Sequence, residues 1–359
     1  METVAWIGFS QALFAGLLMA AKKERNVSDK VLASWLFLIA FEFGTYAIDL
    51  TTNGLGIKLS NPFFLFNPTL YVYTCSLTNK KFTLHYTHLL HLLPYFIFEG
   101  LAYLLNENLD VENFLKPDGT LWFRISFVVA TFSSWIIYSL ISILKVHRHR
   151  INLKNVFSTL DSYKKISWLL FVLIFYTLYW IGTLTFGILN YFKITEPIIM
   201  SFTYSVLLGF LYILGFYGLK QGMIFSGSQT DEANNGNSKY RYSRLQEKYK
   251  QQVKKKILNY FTEAHPYLDT ELTIDKLSEK LQLQRHVVTE VLNTGFNKNF
   301  YQFVNEFRVE AVKQMLNDPK KNILSIEAIG YECGFNSKST FFSVFKSITG
   351  KTPAQYKES

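Results

Sequence analysis

Apolar residues fill most of the first 220 positions in long blocks separated by short polar, basic or turn-forming stretches. From about position 245 the pattern changes to apolar residues at three- and four-residue steps amid charge, the period of amphipathic helices. Seven apolar blocks run roughly over 3–21, 31–50, 61–79, 84–105, 121–144, 167–190 and 197–219. Each is about 19 to 24 residues, long enough for a helix to cross the ~30 Å hydrocarbon core of a bilayer. The block 61–79 is the weakest, because Pro62, Asn67, Pro68 and Asn79 interrupt it. The first block reaches Lys22 without a small-residue cleavage site and a second block follows, so it is expected to be retained as a helix.

The basic residues between blocks alternate. Lys22, Lys23, Arg25, Lys30, Lys80, Lys81, Lys145, Arg148, Arg150, Lys154, Lys164 and Lys165 fall in one set of loops, against Lys58, Lys116 and Lys193 in the other, 12 to 3. The positive-inside rule makes the rich set cytoplasmic, which puts the N-terminus outside and the C-terminus inside. Dropping the weak block while keeping the C-terminus inside would export the Lys22 to Lys30 loop, so seven spans fit best. The expectation is a multi-pass protein of the cell inner membrane with the lipid bilayer as a partner.

Ionisable groups within such spans face protein or a wet cavity. Glu42 and Asp49 lie about 20° from the same helical face, and His85, His88 and Glu99 share an arc of roughly 60° with His91 at its edge. By depth, Asp49, Glu99 and Arg124 fall in the outer half of three different spans. With Glu42 they form the candidate signal site, for an unknown small molecule or envelope signal, set against an interhelical salt bridge. In an α-helix His85, His88 and His91 spread over ~120° with no carboxylate following, which disfavours a metal site. Gly215, Gly218 and Gly222 allow close helix approach, a weak signal in membrane helices.

Residues 226–238, SGSQTDEANNGNS, read as a flexible linker. Leu245, Tyr249, Val253, Ile257 and Tyr260 then mark an amphipathic helix, and two helix-turn-helix patterns follow. In the first, Leu277 and Leu281 mark one helix, Gln282 to Gln284 a turn around Leu283, and Val288, Val291 and Leu292 the core face of the next helix. Arg285, His286, Thr289 and Glu290 face outward, where a recognition helix meets base edges. In the second, Ile326 and Ile329 pack a helix that stops at Gly334, and Ser337 caps the next. Phe341, Val344, Phe345 and Ile348 should be buried there, with Lys338, Ser339, Phe342 and Ser343 outward. Phe342 either touches a thymine methyl or packs on a neighbour. Between the units Phe300, Phe303, Val304, Phe307, Ala311 and Met315 mark a helix of about 17 residues between Asn299 and the Asp318-Pro319 stop, ~25 Å long. That length suits two recognition helices one DNA turn, ~34 Å, apart.

Composition narrows the reading. With 49% apolar and 17% aromatic residues the chain is neither disordered nor collagen-like. Of the formal charge of +10, residues 239–359 carry +7, which suggests a polyanion as their partner. Two cysteines, Cys75 and Cys333, make no disulfide framework. The usual nucleophile-base pairs and metal triads are missing from the sequence, so neither an enzyme nor a cofactor is expected.

The stretches LTIDKLSEKLQLQRHVVTEVLN, NFYQFVNEFRVEAVKQML and SIEAIGYECGFNSKSTFFSVFKSITGKTPAQYK resemble the DNA-binding domain of AraC-type bacterial transcription regulators over about residues 248–357. The third stretch carries that family's pattern at Ile326, Ile329, Gly334, Phe335, Ser337, Ser339, Phe341, Phe345, Lys346, Gly350, Pro353 and Tyr356. The resemblance implies seven helices, two major-groove contacts per monomer and transcriptional control. It assigns base reading to His286, Thr289 and Glu290 in the first unit and to Lys338, Ser339, Phe342 and Ser343 in the second. Gln284 stands where the family usually has a capping Ser, and Ser343 where many members have Arg.

The expected fold is all-α: a seven-helix transmembrane bundle over 1–225, the linker 226–238, and a cytoplasmic all-helical double helix-turn-helix domain over 239–359. The expected function is a membrane-embedded one-component regulator, with promoter DNA, RNA polymerase and a second copy of the chain as partners. The rival is a receptor or transporter whose C-terminal domain is autoregulatory or a protein-docking module. Target promoters, and activation against repression, stay open.

Overall fold

A computed structural model describes residues 1–52, 62–79, 82–107, 116–159, 161–191, 198–220, 247–321 and 323–358. The linker expected at 226–238, Lys58, Lys193 and Gly222 lie outside the described residues. Among the described residues the chain is helical apart from one isolated antiparallel bridge, Phe157 to Thr273. It divides into two compact units. One holds residues 1–147 and 167–227, the other residues 148–166 and 228–359, so part of the loop expected between the fifth and sixth spans belongs with the C-terminal helices.

The first unit contains α1 (Glu2–Ala21), α2 (Val27–Thr52), α3 (Phe63–Thr78), α4 (Leu93–Leu105), most of α5 (Leu121–Lys154), most of α6 (Asp161–Tyr191) and α7 (Ile198–Lys220). Six of its helical stretches are long and apolar enough to cross a membrane, by length and composition. The block 61–79 is not among them. Its helix α3 has 16 residues, about 24 Å, because the chain turns at Pro62 and leaves the helix at Asn79. This helix is the most enclosed of the set: Phe64, Phe66, Leu70 and Tyr73 are all buried.

The polar residue that weakens the block 61–79 proves central to its packing. Asn67 is 1% exposed. Its side-chain oxygen accepts from the Tyr176 hydroxyl (2.6 Å) and the Trp180 indole (3.2 Å) of α6, and its amide donates to Ser134 of α5 (3.2 Å). Trp35 of α2 lies edge-on to Tyr73, Tyr176 and Phe210. Along α1 the small residues Ala5, Gly8, Ala12 and Gly16 are buried against α2, the route by which apolar helices approach closely without a hydrophobic gradient. Of the glycines noted in α7, Gly218 packs closely on α2, since a Cβ there would require the end of the Leu32 side chain to shift.

The fourth block changes helix type. Tyr86–Leu92 is 3₁₀ and α4 begins at Leu93, with Pro94 in its first turn, where a missing N–H costs nothing. A 3₁₀ helix eclipses i and i+3, so His85, His88 and His91 do not fan over ~120° but form a ladder with ring centroids 6.4 and 6.3 Å apart. Their nitrogens meet Thr83, the His85 backbone and Tyr138.

The second unit has α8 (Glu247–Ala264), α9 (Ile274–Lys280), α10 (Arg285–Glu290), α11 (Phe300–Asn317), α12 (Ile326–Glu332), α13 (Lys338–Thr349) and α14 (Pro353–Lys357). Asn299 and Gln302 form a reciprocal capping box that starts α11, which runs 18 residues. This helix is buried on two sides. Phe300, Phe303 and Val304 join a core with α8, α9 and α10, while Val309, Val312 and Leu316 join a second core with α12 and α13.

Candidate nucleic-acid interface

Each core carries one helix-turn-helix. In the first, Thr273 caps α9 through the Lys276 amide, Gln282 turns the chain with φ +52°, and α10 starts at Gln284 without a side-chain cap. The absent capping Ser is therefore not replaced by the Gln284 side chain. After six residues α10 widens into a π turn, Val291–Gly295. Val288, Val291 and Leu292 are buried as expected, and so is Val287. His286 is exposed, and Arg285, Thr289 and Glu290 are partly so. The Thr289 hydroxyl donates to the Arg285 carbonyl (2.9 Å).

In the second unit Ser325 caps α12 through the Ala328 amide. Beyond α12 the Gly334 amide donates to Tyr331 and the Phe335 amide to Gly330, the paired bonds of a Schellman turn. Gly334 sits at φ +89°, and a Cβ there would lie 2.3 Å from the Tyr267 carbonyl oxygen, so only glycine fits. Ser337 caps α13, accepting from the Thr340 amide. Lys338, Ser339 and Ser343 are exposed. Phe342 is half-buried, edge-on to Phe341 at 5.1 Å, with the Lys338 amine 6.0 Å from its ring centre. Ile348 departs from expectation: it is 43% exposed, because the core closes over Phe341, Val344 and Phe345 and leaves the last turn outside.

The two units share a device that sequence reading missed. The second residue of each first helix is acidic, as the positive end of a helix favours, and it pairs with the first residue of the recognition helix. Asp275 meets Arg285 at 3.4 Å, and Glu327 meets Lys338 at 3.0 Å. Hydrogen bonds from Lys338 and Tyr331 hold the Glu327 carboxyl below its ordinary range. The signal was visible as an acid ten or eleven residues before a base in each unit.

Other basic residues are also engaged. Lys254 and Lys256 of α8 donate to the Gly295 (2.9 Å) and Leu281 (2.7 Å) carbonyls, closing the C-terminal ends of the first unit. Lys298 pairs with Glu306. Arg308 is 1% exposed, and burial pushes its guanidinium down to about 10, still a cation near neutrality. Of these cations only Arg308 is withdrawn from the surface, since the carbonyl-bound lysines keep their charge and the Lys298–Glu306 pair is already offset within the net +7.

The candidate signal residues belong to the first unit. Arg124 is 1% exposed and ion-paired to Glu107 (2.6 Å), just after α4, and to Asp118 (2.8 Å), just before α5. Hydrogen bonds from Thr120 and Arg124 lower the Asp118 carboxyl to about 2. Glu42 accepts from the Tyr204 hydroxyl of α7 (2.9 Å), whose ring stacks on Tyr46 at 3.8 Å. Asp49 lies one turn beyond Tyr46 on α2, and Glu99 lies on α4. Among the described residues no cluster of His, Cys, Asp and Glu suits a metal ion.

Residues 277–359 match the family described as a helix-turn-helix domain. The C-terminal domain is of the AraC helix-turn-helix type. The chain is similar to the melibiose operon regulatory protein of Escherichia coli (strain K12), 29% identical over 90 residues, which cover 25% of this chain and 29% of the relative. It is also similar to the uncharacterized HTH-type transcriptional regulator YdeC of Bacillus subtilis (strain 168), 27% identical over 104 residues, 29% of this chain and 34% of that one. The HTH-type transcriptional regulator ArgR of Pseudomonas aeruginosa is 27% identical over 88 residues, 24% and 26%. The chain thus spans about a third or less of these relatives' lengths. No solved structure matches the chain.

Proposed function

We propose that the chain is a membrane-embedded one-component transcription regulator. The AraC-type domain binds promoter DNA through two recognition helices and engages RNA polymerase, alone or as a pair of copies. A signal acting on the apolar unit controls it from within the cell inner membrane, with the N-terminus outside. The observation that carries the DNA-binding reading is the matched pair of helix-turn-helix units on one connecting helix, ~27 Å long at 1.5 Å per residue, with polar residues outward on both recognition helices. The membrane reading is supported by six apolar helices and by large apolar side chains such as Ile137, Leu140 and Leu144 on the outside of α5. The 12 to 3 bias in loop basic residues supports the orientation.

The test is footprinting of the full-length protein in nonionic detergent on genomic fragments. The expected result is two protected major-groove segments about one turn apart, with affinity falling steeply as salt rises. Protection without sequence preference would refute specific regulation. Reporter fusions after Lys154 should be active only in a cytoplasmic reporter and those after Lys116 only in an exported one. Residue 116 found in the cytoplasm would overturn the topology.

A further inference from the structure

Residues 155–158 follow α5 directly and read Asn-Val-Phe-Ser. They fold within the same compact unit as the DNA-binding domain. Val156 is 4% exposed and sits in the first core with Val253, Ile257 and Phe261, and Phe157 packs against that core. Phe157 bridges Thr273 in antiparallel pairing. The Ile274 amide donates to the Val156 carbonyl (3.0 Å) and the Ser158 amide to the Leu272 carbonyl (3.3 Å). The Ser158 hydroxyl donates to the same carbonyl at 2.7 Å.

The receiving side is built for this segment. Asn305 donates its amide to the Ser158 carbonyl at 3.1 Å. Arg308 donates from Nη1 to that carbonyl (3.0 Å) and from Nη2 to the Ser158 hydroxyl oxygen (3.2 Å). It gives Nε to the Tyr267 carbonyl and a second Nη2 bond to the Asp269 carbonyl, both at 2.8 Å. Two buried polar side chains on one helix therefore converge on one residue contributed from more than 140 positions away. A guanidinium left facing a vacated site would keep donors without acceptors, which a buried cation tolerates poorly.

We propose that Val156–Phe157–Ser158 is a docking strand through which the segment joining α5 to α6 holds the DNA-binding domain. Asn305 and Arg308 are its receptor, and its seating sets the first helix-turn-helix unit. The strand pairs on both sides of Thr273, the cap of α9, so withdrawal loosens the start of that unit and leaves the caps of the second intact. The pairing is strand addition in its shortest form, backbone bonds holding the segment and one apolar side chain filling a pocket. The proposal rests on reading α5 and α6 as the output of a sensing unit and the domain as DNA-binding.

The test uses the full chain, tagged at its N-terminus, with a site-specific protease site inserted within 226–238. After cleavage in nonionic detergent at high salt, the tag should still recover the C-terminal fragment from the wild-type chain. The Val156→Asp/Ser158→Val double variant should retain at least tenfold less, and the milder Ser158→Ala an intermediate amount. A Phe157→Cys/Thr273→Cys pair should join the fragments under oxidation and separate them on reduction. A wild-type fragment that washes off as fully as the variant's, or a cysteine pair that does not cross-link, overturns the docking strand. On DNA, Val156→Asp/Ser158→Val should weaken protection of the first unit's segment at least tenfold and the second's less than twofold. Equal loss at both segments would overturn its control of the first unit. Carbonate-resistant sedimentation of the uncleaved chain with membranes separately tests the membrane reading.

Discussion

The two helix-turn-helix units reach similar shapes by different means. The second is specified almost wholly by neighbours in sequence: Ser325 and Ser337 cap its helices, a Schellman turn at Gly334 joins them, Gly350 ends α13 at φ +78°, and Thr352 and Gln355 box α14. The first carries non-glycine residues at positive φ, Gln282 at +52° and Asn297 at +54°, an uncapped recognition helix and a π turn. Its ends are held from outside, by Lys254, Lys256 and residues 156–158. A unit closed by local bonds keeps its form when its surroundings change, whereas one closed by distant side chains inherits their state.

The largest expected effect comes from Arg308→Leu, which leaves the Tyr267, Asp269 and Ser158 carbonyls with fewer donors. At roughly 1 to 3 kcal/mol per buried group left unsatisfied, a loss on the order of 3 kcal/mol or more is expected. Hydrogen exchange of the full chain should show amides 272–295 losing protection well before amides 338–349. Simultaneous loss would mean the two units melt as one and erase the contrast. Gly334→Ala attacks from the other side: its φ alone costs about 1 to 3 kcal/mol, before the clash with Tyr267. Denaturation should show the second unit as the weaker one in this variant.

Legibility in the sequence follows the same division. Asn299, Ser337 and Gly334 are readable as helix signals because their partners lie within a few residues, and the missing cap at Gln284 is readable for the same reason. Arg308 and Asn305 are not, since a polar residue on a helix amid apolar ones gains its meaning from distant partners, Ser158 for both and also Tyr267 and Asp269 for Arg308. Asn67 misleads similarly: it lowers the apparent quality of a span while satisfying Tyr176, Trp180 and Ser134. An α-helical period fans the three histidines apart, and the 3₁₀ geometry before Pro94 realigns them. The acidic and basic residues of the apolar unit could be placed by depth, but loop partners such as Glu107 and Asp118 carry no periodic signal.

Exchanging caps sharpens the comparison with smaller effects. Gln284→Ser should stabilise the first unit, and Ser337→Ala should destabilise the second, each by about 1 kcal/mol. Thermal or denaturant unfolding of the full chain, read by exchange at each unit, checks both. A null effect for Gln284→Ser would mean that distant contacts already determine the start of α10.

The smallest effect tests what the units have in common. Glu327 and Asp275 occupy the same position in their helices and hold Lys338 and Arg285, so on the proposed DNA-binding reading a nucleic acid competes with a carboxylate for each of these cations. Glu327→Gln removes that competitor without changing shape, and at low salt the full chain should bind its site severalfold more tightly. The slope of log affinity against log salt should steepen by the share of one further phosphate contact, at most about 0.9. The pH dependence has a defined sign. Because Lys338 and Tyr331 depress the Glu327 carboxyl, its hold on Lys338 is complete above the ordinary carboxylate range and lost as pH falls through the lowered value. Wild type and variant should therefore differ at neutral pH and converge in acid. A Lys338→Ala substitution that costs the same affinity in both backgrounds would show that Glu327 does not restrain this lysine. The Asp275→Asn counterpart should then be compared at Arg285, where the longer 3.4 Å separation anticipates a smaller gain.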